Sequence, residues 1–463
     1  MSAQGWTTLA LTLAVVVSLP YWLPRTVIAL RVRIFARVGG EEGIQAPGRE
    51  VPAEEFKQVY GHPAANGRSR GAALSDLFWY WLSPGPEIHQ EHLEPGPRYD
   101  DVARTTRQIL AGLSREQWTE LVGRCTRRVL DELDDTTDVH RVRLRDLMMP
   151  VWAEVYYEVV FRERCPRYAR DLIVGNADDV VSALKCTRLR HMDRRSRLTT
   201  HLRDRLAHDP PPVPLPSTLS ERERAYYLQG TFFNTAVVQM SEAMAHLLLA
   251  LATHRPVQDR LAAGEEDADF LDRVINETLQ HFPLFGVAHR ITSDAIPRDG
   301  RDPIPAGSVL LFNYPEYQGS DGGRFDPDRW LSPDTRPSAF IPFGVTANRP
   351  CPARGFAVLT MRVAAEETLR RFRLESSAEH TRSLPSRGPC LLVPRTGALW
   401  GPVGRRIRLA ALRLADRWAA VPRSLVQLVL GSYMVWDARR QGLCRNYFAA
   451  SSGGSAPSVA AGR

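Results

Sequence analysis

The residues best placed to do chemistry lie in the stretch FIPFGVTANRPCPA at residues 340–353. There Arg349 stands two positions before a lone cysteine, Cys351, which is fenced by Pro350 and Pro352. An apolar run gives way to proline and glycine, which break regular structure. Residues 353–371 then carry Ala357, Met361, Ala364 and Leu369 at helical spacing. A thiolate at a loop-to-helix junction gains from the positive helix end, which lowers the thiol pKa. An arginine close to it can pair a carboxylate. An axial sulfur and a propionate partner are what a haem needs from one side. A buried free cysteine in a turn is the competing reading.

Two further blocks lie upstream, in order. Residues 276–283 read NETLQHFP and residues 325–330 read FDPDRW, with IPAG at residues 304–307 between them. Together with the cysteine loop, these blocks resemble the cytochrome P450 family. The loop resembles its Phe-x-x-Gly-x-Arg-x-Cys-x-Gly pattern, and Glu277 to Gln280 its Glu-x-x-Arg helix. The resemblance runs over residues 45–394. It implies a mainly α fold with small β sheets, binding haem b. It also implies Cys351 as axial ligand and Phe343 against the cofactor. Arg349 and Arg290, the latter ending GVAHR at residues 286–290, would pair the propionates. Arg104 and Arg107 are further cations on a helix that the family sets near the propionates.

The departures are specific. The loop is one residue longer between Phe343 and Cys351, and Ala347 and Ala353 replace its glycines. Gln280 replaces the family arginine, so Glu277 and Arg329 are expected to pair while Gln280 hydrogen-bonds them. Residues 217–254 form the longest helical pattern, apolar nearly all round and therefore expected to cross the core, with Ser217 or Ser220 as cap. At the family's proton-relay signature the chain has Ala236, Gln239, Met240 and Ser241. Gln239 is no acid and Met240 has no proton to relay. Ser241 is the hydroxyl that could substitute, about 100° round the helix from the expected position.

Three functions stay open. The first is monooxygenation of a lipophilic small molecule, with electrons from a ferredoxin or flavin reductase. The second uses a hydroperoxide or peroxide. For it, Asn234 in TFFNT and Asn348, three before Cys351, resemble positions in allene-oxide-synthase-like relatives. The third is a degenerate, non-catalytic haem protein acting as partner or sensor.

The chain has 463 residues, 44% hydrophobic, enough for a large core. Its formal charge of +8 is carried almost wholly by arginine, since Lys57 and Lys185 are the only lysines. No nucleic-acid motif accompanies that charge, so a nucleic-acid partner is not expected. The six cysteines show no metal-like spacing. His89 and His92, three apart among prolines, are a weak metal pair. Residues 6–24 are uncharged and would reach about 28 Å as a helix. Arg25, Arg31, Arg33 and Arg37 follow. The expectation is a membrane protein with a single-pass anchor and a cytoplasmic haem domain. Residues 39–66 read as a linker. Residues 404–421 form a basic amphipathic helix that Pro422 should end, followed by a short apolar segment. Together these suggest contact with membrane lipid. The expected organisation is an anchor and linker at 1–44, a haem domain at 45–396, an amphipathic helical tail at 397–450 and a disordered tail at 451–463.

Overall fold

The longest buried helix sets the frame. In the computed structural model, residues 3–39, 43–84, 92–133, 138–264, 268–319, 323–378, 389–395 and 400–452 are described. Among them Glu221–Thr253 runs as one continuous helical segment through the core. Ser220, rather than Ser217, caps it. The Ser220 side chain accepts from the Glu223 amide while Glu223 accepts from the Ser220 amide, a reciprocal capping box. Ser217 donates instead to Asp101 on a front helix. Residues Thr231–Ala236 form a π-helical turn inside this segment. Such a turn holds more residues than an α turn and rotates everything on one side of it relative to the other.

The second half, Val237–Thr253, packs on helix Leu144–Phe161, which is buried almost throughout. Helices Arg115–Leu130 and Ala357–Arg371 pack on each other below it. The described strands are β1 (Ile44–Ala46), β2 (His140–Arg143), β3 (Val287–Ile291), β4 (Ile296–Arg298), β5 (Arg301–Ile304), β6 (Val309–Asn313), β7 (Phe372–Glu375) and β8 (Pro389–Pro394). They make small sheets ordered β1-β6-β3, β2-β8-β7 and β4-β5. The architecture is mainly helical with small sheets, as the sequence led one to expect.

Two segments differ from expectation. Residues 39–66 are not simply a linker: β1 pairs in parallel with β6, and Phe56, Val59 and Tyr60 are buried in a second core with Phe312 and Tyr314. The tail is a long helix, Pro402–Gln441, which continues through Pro422, followed by a short one, Leu443–Ser452. Proline removes only the amide that would serve the Trp418 carbonyl. Both residues lie on the exposed side, where water can serve that carbonyl. The far end of this helix packs on helix Ala73–Leu82 through Met434, Val435 and Ala438. The C-terminal tail from residue 453 and His89 lie outside the described residues. His92 is buried and stacks on Trp79 at 5.6 Å.

Candidate active site

The cysteine loop is tied at both ends. The Cys351 amide donates to the Phe343 carbonyl at 3.2 Å, and the Cys351 carbonyl accepts from the Arg354 amide at 3.3 Å. Gly344 has φ +74°, and a side chain there would approach the Tyr60 hydroxyl at 3.3 Å, so glycine fits this turn. Asn348 donates to the carbonyls of Tyr60, His62 and Ala65 at 3.2, 3.0 and 2.8 Å. It therefore fastens the loop to the front segment rather than facing a substrate. The helix that follows begins at Ala357, four residues later than its apolar spacing suggested, because residues 352–356 form turns.

Cys351 opens onto a cavity of about 300 Å³. Phe343, Arg349 and Arg290 line it, as do Arg68 and Arg107. Among the described lining residues there are four guanidinium groups and no carboxylate. Arg290 donates to the Tyr60 hydroxyl at 3.2 Å, and Tyr60 shares a 2.7 Å hydrogen bond with Tyr314. Burial pushes both phenols up. Beside the Arg290 charge, Tyr60 ends below its usual value while Tyr314 stays well above. The Nε and Nη1 atoms of Arg290 are buried with no hydrogen-bond partner. A buried guanidinium with two unused donors on a cavity wall is suited to an anionic guest. Arg349 donates to the Leu93 carbonyl at 2.7 Å and lies 4.0 Å over the Tyr99 ring, at φ +48°. Arg104 is taken by Asp101 at 2.9 Å, whereas Arg107 reaches the cavity. Burial first, and then the Cys351 charge, pushes the Tyr156 phenol on the cavity wall well up, so it stays protonated.

The opposite wall comes from the long helix. Thr231, Thr235, Gln239 and Ala243 recur every four residues along it, with Ala236 and Met240 beside them. The Gln239 Oε1 atom is buried without a partner. Asn234 and Ser241 are not on this wall. Asn234 is buried, its place on the wall taken by its neighbour Thr235 through the π turn. Ser241 is fully buried, and its hydroxyl donates back to the Val237 carbonyl at 2.6 Å. Thr231 and Thr235 bring to this wall hydroxyls that sequence reasoning missed. The extra residue of a π turn leaves no mark in a count at α-helical spacing.

Beneath the loop, Glu277 is fully buried. Its carboxylate accepts from the Asp326 amide at 2.7 Å, Trp330 Nε1 at 2.9 Å and His281 Nε2 at 2.9 Å, and pairs with Arg329 at 3.3 Å. Gln280 does not join it, contrary to expectation. It donates to the Gln318 carbonyl at 2.9 Å, and the Gln318 amide donates back to the carbonyls of Leu279 and Gln280. A carboxylate has about four acceptor positions; here three take hydrogen bonds and the Arg329 guanidinium stands beside them as an ion pair.

The Cytochrome P450 family model matches residues 217–400, the stretch holding the long helix, the Glu277 network and the cysteine loop. The chain belongs to the cytochrome P450 superfamily. A putative cytochrome P450 135B1 of Mycobacterium tuberculosis is 31% identical over 208 residues, covering 42% of this chain and 42% of that protein. The matched stretch thus spans about two fifths of that curated relative. A leukotriene-B4 omega-hydroxylase 3 of Mus musculus is 31% identical over 188 residues, covering 35% of this chain and 34% of its own. Among solved structures, a variant of cytochrome P450 OleT in complex with arachidonic acid superposes with a TM-score of 0.59 at 15% identity. It covers 74% of this chain and 88% of its own. That likeness shows the P450 fold. P450 proteins bind haem through a cysteine thiolate. The guanidinium-lined cavity above Cys351, with the unused donors of Arg290, fits that group.

Proposed function

We propose that this P450 chain is a haem-thiolate monooxygenase that oxidises a lipophilic small molecule. The observation that carries the reading is the convergence of Cys351 and four arginines on one cavity whose other wall, from Val102 to Met240, is largely apolar. Cys351 would ligate the haem iron through its thiolate, Arg290, Arg349 and Arg107 would hold the propionates, and Phe343 would pack against the cofactor. Haem b, when bound, supplies reductive activation of dioxygen, with electrons from a ferredoxin or flavin reductase. The relatives and neighbours named for arachidonic acid and leukotriene B4 support a lipid-like substrate of the fatty-acid class. A membrane location, with the haem domain on the cytoplasmic side, is supported by the apolar helix Trp6–Arg31 and the arginines along its second half.

Proton handling falls to this chain's own residues. Thr231 and Thr235 carry hydroxyls on the wall, with Thr235 one turn from Gln239, and Gln239 presents an acceptor oxygen that can hold a water or a substrate hydroxyl. None of these is an acid, so proton delivery is slower than a carboxylate would make it. Positioned acid–base groups contribute about 10²–10⁴-fold.

The lack of a carboxylate among the described wall residues favours direct peroxide use as the second reading. Its allene-oxide-synthase-like version is weaker, because Asn234 is off the wall and Asn348 is spent on the loop. The buried Glu277 network, which keeps its Arg329 pair, counts against a degenerate haem protein. The test is product formed per reducing equivalent from a fatty acid, with a surrogate ferredoxin and reductase, against product formed with hydrogen peroxide. The reading expects turnover with the reductase system at low coupling, lowered several-fold further by Thr235→Val and unchanged by Ser241→Ala. It expects coupling to rise in Gln239→Glu with Met240→Thr. Product with peroxide alone would establish the second reading. Bound haem with no product from either would establish the third.

A further inference from the structure

The tail helix Pro402–Gln441 carries a row of exposed apolar side chains that no part of the described chain covers. Val403, Ile407, Leu414, Trp418, Leu425, Val429 and Trp436 follow one another at steps of four and seven residues. At about 100° per residue these steps advance by about +40° and −20°, so all seven fall within an arc of about 80°. The row is about 50 Å long. The buried residues Leu412, Gln427, Gly431, Met434 and Ala438 lie on the opposite side.

This helix is fixed to the protein body at both ends. Near its start, Arg405 pairs with Glu375 at 2.9 Å, Ser377 donates to the Leu409 carbonyl at 2.6 Å, and Leu412 packs on Leu391 and Val393. At its far end Tyr80 donates to Asp437 at 2.9 Å and Arg190 to Gln441 at 2.7 Å. It therefore lies along the body. The N-terminal helix, Ala3–Gly39, packs beside it. Tyr21 meets Arg417, and Arg31 lies against Gly431, so ten residues of one helix run alongside fourteen of the other in the same direction.

From these contacts we infer that the N-terminal helix and the tail helix form one raft that lies in the plane of an anionic lipid surface, so that the N-terminal helix does not cross the bilayer. This rests on the membrane location proposed above and changes its mode. A helix packed alongside a strut that is pinned to the protein body cannot stand normal to the membrane while that body stays outside. Charge selects the occupant. Residues 402–441 hold eight arginines (405, 406, 408, 413, 417, 423, 439 and 440) and two aspartates, Asp416 and Asp437, both on the side away from the apolar row. Residues 3–39 hold four arginines and no acid. An apolar row flanked by arginine suits acyl chains beneath anionic headgroups. A second copy would set one arginine row against another.

The test uses the full chain with an N-terminal epitope tag in sealed inverted membrane vesicles, the haem domain facing out. An in-plane helix leaves the tag on the haem side, so added protease removes it without detergent. A tag protected until detergent is added overturns the in-plane reading. The apolar row is tested with Ile407→Asp, Leu414→Asp and Val429→Asp together, checked for normal haem content. Binding to vesicles containing phosphatidylglycerol should fall at least tenfold, and unchanged binding overturns the contact. Should that variant lose haem, Arg406→Gln with Arg408→Gln and Arg413→Gln takes its place. It should lose the preference for phosphatidylglycerol over phosphatidylcholine, and a retained preference overturns the contact equally. A tagged chain found wholly in the soluble fraction refutes the membrane location itself, and the raft with it.

Discussion

Replacing Glu277 by glutamine exchanges one carboxylate oxygen for an NH₂ group and should loosen the floor of the site. The native carboxylate is fully buried and takes three hydrogen bonds, at 2.7, 2.9 and 2.9 Å, and an ion pair at 3.3 Å. An amide keeps one acceptor oxygen and turns an NH₂ group toward donors that had faced an oxygen. Arg329, largely buried, loses its countercharge. Hydrogen bonds to a charged group contribute about 1.5–3 kcal/mol each and do not add in full. Removing one partner of a buried pair costs about 3–5 kcal/mol. The expected loss is therefore about 3–5 kcal/mol, read as a shift of the urea unfolding midpoint followed by tryptophan fluorescence and by haem release. Both readouts should move together, since Trp330 and Asp326 connect this network to the segment that leads into the cysteine loop. A loss under about 1 kcal/mol would refute the view that Glu277 organises that floor.

Four further outcomes follow from the same contacts. Gln280→Arg, which restores the family residue, should destabilise the protein, because Glu277 already takes three hydrogen bonds and pairs with Arg329, so the new charge would be buried beside Gln318 without a countercharge of its own; a urea midpoint that rises would contradict this. Arg290→Leu should lower haem retention, measured as haem per chain after gel filtration, more than Arg104→Leu, since Arg104 is already held by Asp101. His246 is buried against Phe282, and burial lowers its pKa to about 4. Below about pH 6.5 the unfolded chain therefore binds a proton that the folded chain refuses, so stability falls as pH drops from about 6.5 toward 4, by up to about 1.4 kcal/mol per pH unit from this residue. His246→Phe should flatten that slope in urea titrations at pH 7 and pH 5. Asn348→Ala, which frees three carbonyls of the front segment, should broaden the haem Soret band and speed haem loss without touching the ligand.

What could be read from the chain and what could not divide along physical lines. The cysteine loop and the long buried helix were legible because each depends on local residue types at short spacing, and the Glu277 and Arg329 pair because the resemblance of their two motif blocks implied it. The partner of Gln280 was not, since Gln318 lies 38 residues away and joins it only through the fold. Thr235 was hidden by a π turn, which shifts the helix face without altering its composition. Phe56 and Tyr60 were hidden in a stretch rich in glycine and proline, whose aromatic residues find their neighbours on β6 and beyond. Pro422 suggested a helix end because proline propensity describes a helix interior. On an exposed face, with the helix pinned at both ends, the cost is small enough to bear.

The central claim is that Cys351 is the thiolate ligand of a haem held by this cavity. Its most direct test is the absorbance of the dithionite-reduced protein under carbon monoxide, natural chain against Cys351→Ala. The account predicts a strongly red-shifted Soret band in the natural chain and its absence in the variant, with far-ultraviolet circular dichroism unchanged. A variant that keeps the shifted band would place the ligand on another cysteine and contradict the assignment.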